Sequence, residues 1–489
     1  MPPFRFVDHS DIDRDARKLI RSHVMIGKNL GKKKRTRRAR DTSPAEDITT
    51  YTDAAVENPY DDNGIRISIM QISQRQRSLL GTARRVAGDP RLASFTASIA
   101  PQALFHIRQM TAGIIQAISP PEFCRHTGNV ERAWFQLTFA NEAHFHCIVA
   151  LSSACAAFLM GDSSHSPVAL YHMSRAYRLI TQKLSSNEAL ADATISVVSS
   201  TTIYDRLYGD VERSMIHLNG VSEMINLKGG IRALVRRNFV IAEKAFRADL
   251  ELALHFNSPP KFSSTDVPRH LIFIDVRDRP LPREPKNRQL AESVLYQSAC
   301  ADLREAILDI LHFSHKLEDQ AGQMEKLDPE EYHSTIIYVG YRLIEVKLCG
   351  EDYTADTSFN ILVHLAMIGF QNTFCHCVGR QLVAFPLIAQ RFRSTAQSIR
   401  EDNPSRRMVV FWALLTGRVA LLPDDADDHW FVPKLTAFAN DLGLRTWADV
   451  SNALRPFPWV RAMHEVRGAV FWNKTMVPSM SSRPAAITS

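Results

Sequence analysis

The stretch that decides the fold is GDVERSMIHLNGVSEMINLKGGIRAL, residues 209–234. Its apolar side chains recur at three- and four-residue spacing, so they share one face of an α-helix. They are Val211, Met215, Leu218, Val221 and Ile225. Two consecutive glycines, Gly229 and Gly230, follow, and glycine adopts the left-handed backbone that closes a helix without steric cost. The spacing therefore predicts a helix over residues 210–228.

Helical periodicity continues on both sides of this stretch, and strand signals are few. Helices are predicted over residues 131–160, 168–184, 189–208 and 231–256, and again over 289–316, 333–349, 358–382, 385–400 and 406–421, with shorter pieces to about 473. Six prolines in residues 257–288 predict a long loop between the two groups. We therefore expect an all-α fold, a large multi-helix domain over residues 67–475.

The most unusual composition lies near the start, in the basic run KNLGKKKRTRRAR. Its cationic side chains are Lys28, Lys32, Lys33, Lys34, Arg35, Arg37, Arg38 and Arg40. Residues 1–40 carry 13 Lys and Arg against four Asp, whereas the whole chain has a net charge of +7, so the excess is local. A dense cationic run is typical of segments that bind a nuclear-import receptor or a phosphate backbone. We expect import above all, because phosphate contacts give affinity without reading sequence.

The two ends of the chain differ in composition from its middle. Residues 1–40 are predicted to form a short helix, over 11–26, followed by the basic tail, and residues 41–66 an acidic flexible linker. Residues 476–489, rich in Ser and Pro, are predicted to be disordered. No secretory signal is apparent, and the longest apolar run is too short for a membrane span, so no membrane partner is expected. Seven scattered cysteines suit a reducing compartment such as the cytosol or the nucleus.

Motifs that would support catalysis or metal binding are weak. The first cysteine is Cys124, so the basic N-terminal region cannot build a cysteine-based zinc cluster. Two clusters place metal-binding residue types together: His144, His146 and Cys147, and the run Cys375-His376-Cys377. Neighbouring helical residues point about 100° apart, so we expect neither cluster to converge on one ion. No metal, no cofactor and no enzymatic activity are expected.

One acidic motif supports an alternative. Asp424 and Asp425 begin the run DDADD, which has the carboxylate spacing that holds magnesium in all-helical terpenoid synthases. The second metal motif of those enzymes is missing downstream, and we interpret the run as a solvated acidic turn. The alternative, a helical small-molecule-binding protein or a Mg-dependent terpenoid-type enzyme using Asp424 and Asp425, predicts that both line a deep apolar cavity.

Residues 209–234 resemble the signature of the regulatory domain of fungal-specific transcription factors. The core of the signature is His217-Leu218-Asn219-Gly220, and it closes at Gly229-Gly230. ALYHMSRAYRLITQKL, residues 169–184, looks like an upstream helix of the same domain. FRFVDHSD and RSHVMIGKNLGKKKRTRR, residues 21–38, are similar to the leader of family members that lack the six-cysteine zinc cluster. The resemblance extends plausibly from residue 1 to about 475.

In that family the motif residues have a structural role and take no part in chemistry. We expect Gly220 to permit close helix packing, Gly229 or Gly230 to adopt positive φ, and His217 to be a polar helix residue bonded locally. The resemblance implies a nuclear transcriptional regulator, of the kind that controls a metabolic or secondary-metabolite gene cluster. It also implies four kinds of partner: a nuclear-import receptor, DNA bound directly or through a partner factor, a second subunit in a homo- or heterodimer, and a small effector. A cytosolic scaffold remains a third reading.

Overall fold

A computed structural model describes residues 115, 118–125, 138–139, 141–159, 166–274, 293–323, 325–348, 355–375, 377–378, 381–422 and 425–476. Within these ranges lie fifteen α-helices and one two-stranded hairpin. The first six helices are α1 Glu142–Leu159, α2 Pro167–Leu184, α3 Asp192–Leu207, α4 Val211–Leu227, α5 Ile231–Arg237 and α6 Phe239–Phe256. The next four are α7 Val294–Ser298, α8 Ala301–Ala321, α9 Pro329–Glu345 and α10 Ala355–Cys375. The last five are α11 Pro386–Ser398, α12 Pro404–Leu421, α13 Asp428–Asp441, α14 Trp447–Ala453 and α15 Arg461–Phe471. The all-α prediction is confirmed.

Helix α4 follows the prediction for residues 210–228 closely. Asp210 caps its start, because the side chain accepts a hydrogen bond from the backbone N–H of Arg213 at 3.1 Å. The backbone then closes through Gly229 and Gly230, whose φ angles are 97° and 84°. The predicted left-handed helix end is therefore confirmed.

Two predicted helices are interrupted by an asparagine. The helix expected over 131–160 was wrong as one unit: Asn141 is non-helical, and its Oδ1 accepts from the N–H groups of Ala143 and His144 at 2.9 and 3.3 Å. The helix expected over 231–256 likewise divides at Asn238, where φ is −156° and Oδ1 accepts from Ile241. In both places a side-chain cap starts a new helix inside an apolar pattern that continues.

Two more predicted helices differ from the structure. Residues 289–316 hold the short α7 and the start of α8, separated at Cys300, whose N–H donates to Asn360 Oδ1 at 2.9 Å. The helix predicted over 358–382 ends at Cys375. A short antiparallel hairpin follows it, with Cys377 paired to Leu382. The other helices predicted within the described residues agree with the structure within a few residues. The short helix predicted over residues 11–26 lies outside the described residues.

The helices enclose one large apolar core and a small separate apolar cluster between α4 and α6. Helix α1 packs on α2 and α3, and α3 in turn packs on α4 and α6. Helix α6 also contacts α9, which leads through α10 to α12. The interior position of α12 is clear from residues 409–421, every one of which is buried. Among them Trp412 is fully enclosed and its indole N–H donates to the carbonyl of Pro458 at 3.1 Å.

The predicted proline-rich loop is partly built into this core. As far as residue 274 it contains two 3-10 turns, Ser264–Asp266 and Arg269–Leu271, with Phe262 and Val267 buried. The Asp249 carboxylate of α6 accepts the backbone N–H groups of Lys261 and Phe262 at 2.8 to 3.0 Å. The loop is thus fixed to the helix that precedes it.

Candidate functional site around the motif helix

The polar centre of the motif region is the carboxylate of Asp205 on α3, which is only 1% exposed. The hydroxyl of Tyr177 on α2 donates to Oδ1 at 3.1 Å. A guanidinium nitrogen of Arg213, on α4, lies 3.6 Å from the same oxygen. Nδ1 of His217 lies 2.8 Å from Oδ2. This Asp205 cluster joins three helices through one buried anion.

His217 and Tyr177 enclose the carboxylate. Their rings are 5.7 Å apart between centroids. Burial, followed by the adjacent Asp205 charge, raises the pKa of the Tyr177 hydroxyl above its ordinary value, so it remains a donor. His217 has its partner within the chain, as expected of a structural polar residue, but this partner, Asp205, lies twelve residues upstream on α3 and not on its own helix.

The other motif residues divide into buried and exposed positions. Leu218 is 1% exposed and packs with Ala248 and Leu252 of α6, which fixes α4 on the core. Gly220 instead lies on the solvent side, and a Cβ placed there would meet no atom within 4 Å. The expectation that Gly220 permits close packing was therefore wrong within the described chain.

A second polar cluster, the Lys244 cluster, lies behind the motif where α1, α3 and α6 meet. Lys244 is buried, with Nζ 3.3 Å from Ser200 Oγ and 3.5 Å from both Ser196 Oγ and His144 Nε2. Burial lowers the pKa of Lys244 to about 8, although the Cys147 and Glu243 side chains oppose that shift. Ser196 and His144 are themselves 0% and 1% exposed, so this Ser–His pair is closed to a substrate.

A third polar cluster is centred on Glu243, the residue before Lys244. Glu243 lies 2.7 Å from Nδ1 of His333 on α9 and 2.8 Å from Nε of Arg247. Burial alone would raise the pKa of the Glu243 carboxyl, but the contacts with His333 and Arg247 outweigh burial and hold the pKa at about 2. His333 Nε2 also lies 2.9 Å from Ser119 Oγ, which extends the network to the start of the described chain.

The cluster of His144, His146 and Cys147 does not form a metal site in the part of the chain that the structure describes. His144 faces the Lys244 cluster, whereas Nδ1 of His146 lies 2.8 Å from Nδ1 of His172. Burial, and then His172, lowers the pKa of His146 to about 4. No group of three potential metal ligands occurs among the described residues. The side chains of Cys375-His376-Cys377 lie outside them.

Asp425, the described one of the two proposed metal ligands, does not have the surroundings that the enzyme alternative requires. Asp425 begins a 3-10 turn, and its side chain is 69% exposed. Its carboxylate lies 3.0 Å from Lys474 Nζ and 3.9 Å from a nitrogen of Arg418, so cations occupy its surroundings. Asp424 lies outside the described residues. Asp425 therefore lines no deep cavity, against the requirement of that alternative.

The basic run lies wholly outside the described residues, so it remains a prediction from sequence: Lys28, Lys32, Lys33, Lys34, Arg35, Arg37, Arg38 and Arg40. Sequence reasoning in turn missed Asp205, Lys244 and Glu243 as polar centres. Each is a charged residue within an apolar helical pattern, and this is the only sign in the sequence that a buried polar group lies there. Their partners were not visible, because they lie on other helices.

These arrangements define an all-helical domain whose buried polar groups hold its helices together. Residues 115–259 of this domain match the family model of the Fungal specific transcription factor domain. The match contains the motif helix α4 and confirms the resemblance drawn from residues 209–234. Comparisons with curated proteins and with solved structures gave no match.

The matched domain supports the assignment of this chain as a transcriptional regulator. Among the described helices, none combines the length and apolar character that crossing a membrane requires.

Proposed function

We propose that this chain is a nuclear transcriptional regulator whose basic segment, residues 28–40, is recognised by a nuclear-import receptor and contacts DNA phosphates. The observation that carries the proposal is the family domain at residues 115–259. The local positive charge near the start supplies the means of import, because dense lysine and arginine runs suit both acidic receptor grooves and phosphates.

Sequence-specific targeting needs a further element in this proposal. A basic run that contacts only phosphates positions a protein on DNA without selecting a sequence. The regulator therefore binds its promoters together with a partner factor or as a dimer. Its helical domain responds to a small effector and controls a metabolic or secondary-metabolite gene cluster, as the family habit suggests.

Alanine at Lys32, Lys33, Lys34 and Arg35 tests the import role. The substitution removes four of the eight cations in the run, so we expect a fluorescently tagged copy to move from the nucleus to the cytoplasm. The measurement is the nuclear-to-cytoplasmic fluorescence ratio in living cells.

The matched control exchanges the same positions conservatively, with the three lysines changed to arginine and Arg35→Lys. The charge is kept, so this variant should remain nuclear. Unchanged nuclear retention of the alanine variant would contradict the import assignment. Loss of nuclear retention in both variants would show that a specific side chain, and not the charge, is recognised.

A further inference from the structure

Two histidines of neighbouring helices face each other where α1 packs on α2. The Nδ1 atoms of His146 and His172 lie 2.8 Å apart, and the ring centroids are separated by 4.9 Å. The side chain of His146 is 12% exposed and His172 is half-buried, so solvent reaches the edge of the pair. Unlike the Ser196–His144 pair, the His146–His172 pair is therefore accessible to a small ion.

Only one hydrogen can lie between two nitrogens at this distance, so one Nδ1 carries a proton and the other a free lone pair. The carboxylate of Glu142, one turn before His146, lies 3.7 Å from the Nε2 atom of that ring. This carboxylate favours a proton on Nε2, because the Nε2–H bond then points at a negative charge. The Nδ1 atom of His146 is consequently the bare nitrogen, and the Nδ1–H of His172 donates to it.

Both rings are uncharged at neutral pH. Burial, and then the neighbouring His172, lowers the pKa of His146 to about 4. Burial lowers the pKa of His172 below its ordinary value as well. The guanidinium of Arg175 adds to the effect on His146, while Glu142 opposes it. A neutral imidazole is the form that binds a metal ion, so neither ring has to give up a positive charge first.

Aromatic neighbours hold the two rings in place. Phe145 meets both imidazoles edge-on, with centroid separations of 5.6 Å to His146 and 6.4 Å to His172. The ring of Tyr171 meets His172 edge-on at 5.2 Å. Each histidine also lies inside a helix, so its backbone is fixed. Ligands that are held before an ion arrives lose little freedom on binding it, which favours affinity.

We propose that the Nδ1 atoms of His146 and His172 together bind a divalent transition-metal ion of the class that prefers imidazole nitrogen, with zinc as its representative. The hydrogen between the rings moves to Nε2 of His172, so both ligands stay neutral. Zinc–nitrogen bonds of about 2.0–2.1 Å place two nitrogens of one ion about 2.9–3.4 Å apart, so the observed separation of 2.8 Å has to widen only slightly.

The surroundings support two protein ligands, with water in the remaining positions on the ion. No group of three potential ligands occurs among the described residues. Glu142 orients His146 through Nε2, in the way that carboxylates support metal-binding histidines. Arg175 lies 3.1 Å from Glu142 and offsets part of its charge, which limits the affinity. A bound ion would join α1 to α2, and this inference depends neither on residues 28–40 nor on the transcriptional role.

Calorimetric titration of the full-length chain with zinc chloride tests the site. His172→Phe keeps the ring size and removes the ligating nitrogen, so it should bind one zinc ion fewer than the unmodified chain. His364→Phe is the matched control, because His364 is a half-buried helical histidine whose pKa burial also lowers to about 4. Its Nε2 instead lies 2.8 Å from the carbonyl oxygen of Leu343, so this variant should bind as many ions as the unmodified chain. Because stoichiometries are compared, any other zinc site in the chain cancels.

Two variants that keep both ligands separate the site from misfolding. Glu142→Gln should weaken zinc binding about tenfold, because His146 loses its orienting carboxylate. Arg175→Gln should strengthen zinc binding, because the charge of Glu142 is no longer shared. Equal stoichiometry in His172→Phe and the unmodified chain, or no zinc bound by the unmodified chain at about 100 µM, would overturn the proposal. An equal loss in His172→Phe and His364→Phe would overturn it as well.

Discussion

Two adjacent residues of α6 show how the surroundings determine the charge of a buried group. Glu243 meets His333 and Arg247, and its pKa falls to about 2. Lys244 meets two hydroxyls and an imidazole, and burial lowers its pKa to about 8. A charge that loses its water is stable only where opposite charges replace the lost hydration. Glu243 is thus an ionised residue that stabilises the fold, while Lys244 is held closer to its neutral form.

Glu243→Gln should destabilise the fold in a pH-dependent way. The pKa of the native carboxyl, about 2, lies below its ordinary value of 4.5. Ionised Glu243 therefore stabilises the fold above pH 4.5, and the contribution is lost as the pH falls through that value towards 2. We expect the variant to lose about 2–3 kcal/mol of unfolding free energy at pH 7. Urea unfolding between pH 7 and pH 3 measures the difference.

The difference between Glu243→Gln and the unmodified chain should narrow below pH 4.5, where Glu243 begins to bind a proton when unfolded. Glu223→Gln provides the control, because that carboxylate is exposed on α4. A difference that stays constant from pH 7 to pH 3 would show that Glu243 contributes through packing and not through its charge.

The partners in these networks could not be predicted from the sequence, for a physical reason. Glu243 and His333 are 90 positions apart, and Lys244 and His144 are 100 apart. Helical periodicity reports only which face of one helix is buried. It does not report which other helix supplies the facing residue. The sequence could therefore indicate charged residues in apolar helices, but not their partners.

At the scale of the element, the glycines of the motif perform different tasks. Gly230 has φ of 84° and ends the motif helix, and an L side chain there would strain the backbone. Gly220 has helical backbone and open space around it. The motif pattern predicted positive φ at the helix end, and it was right there, where a local signal exists. It predicted close helix packing at Gly220, where the described chain instead leaves open space, because packing depends on what faces the helix.

Alanine substitution should affect these two glycines in opposite directions. Gly230→Ala forces a left-handed backbone on an L-residue and should lower the unfolding free energy by about 1–2 kcal/mol. Gly220→Ala should raise the unfolding free energy by about 1 kcal/mol, through helix propensity. Urea unfolding of both variants gives the comparison. Destabilisation by Gly220→Ala would contradict the open surroundings of that glycine.

Helix interruptions were the least predictable feature of the elements. Asn141 and Asn238 each stop one helix and cap the next, inside stretches where apolar spacing continues. An asparagine is tolerated within helices as well as at their caps, so its identity alone does not mark a break. The break is decided by the direction that the following helix takes in the packed domain.

At the scale of the molecule, the core extends beyond the family match. The match ends at residue 259, yet α6 inside it packs on α9 outside it. The connections between the two parts include the backbone pairing of Cys124 with Leu327, the Glu243–His333 contact, and the hydrogen bond from Tyr341 to Asp249 at 2.9 Å. The all-α class was predictable because helical periodicity persists along the chain. The joining of its two parts was not.

We propose that this chain regulates transcription at promoters through its N-terminal basic segment together with the helical domain. Chromatin immunoprecipitation of a tagged full-length copy tests it most directly, beside a copy that lacks residues 1–45 and carries a foreign import signal. The foreign signal keeps the truncated protein in the nucleus, so a loss of peaks reports DNA contact and not import. We predict discrete promoter peaks for the full-length chain that weaken or vanish with the deletion. Peaks that survive intact would assign promoter recruitment to the helical domain, and no enrichment in either copy would contradict the account.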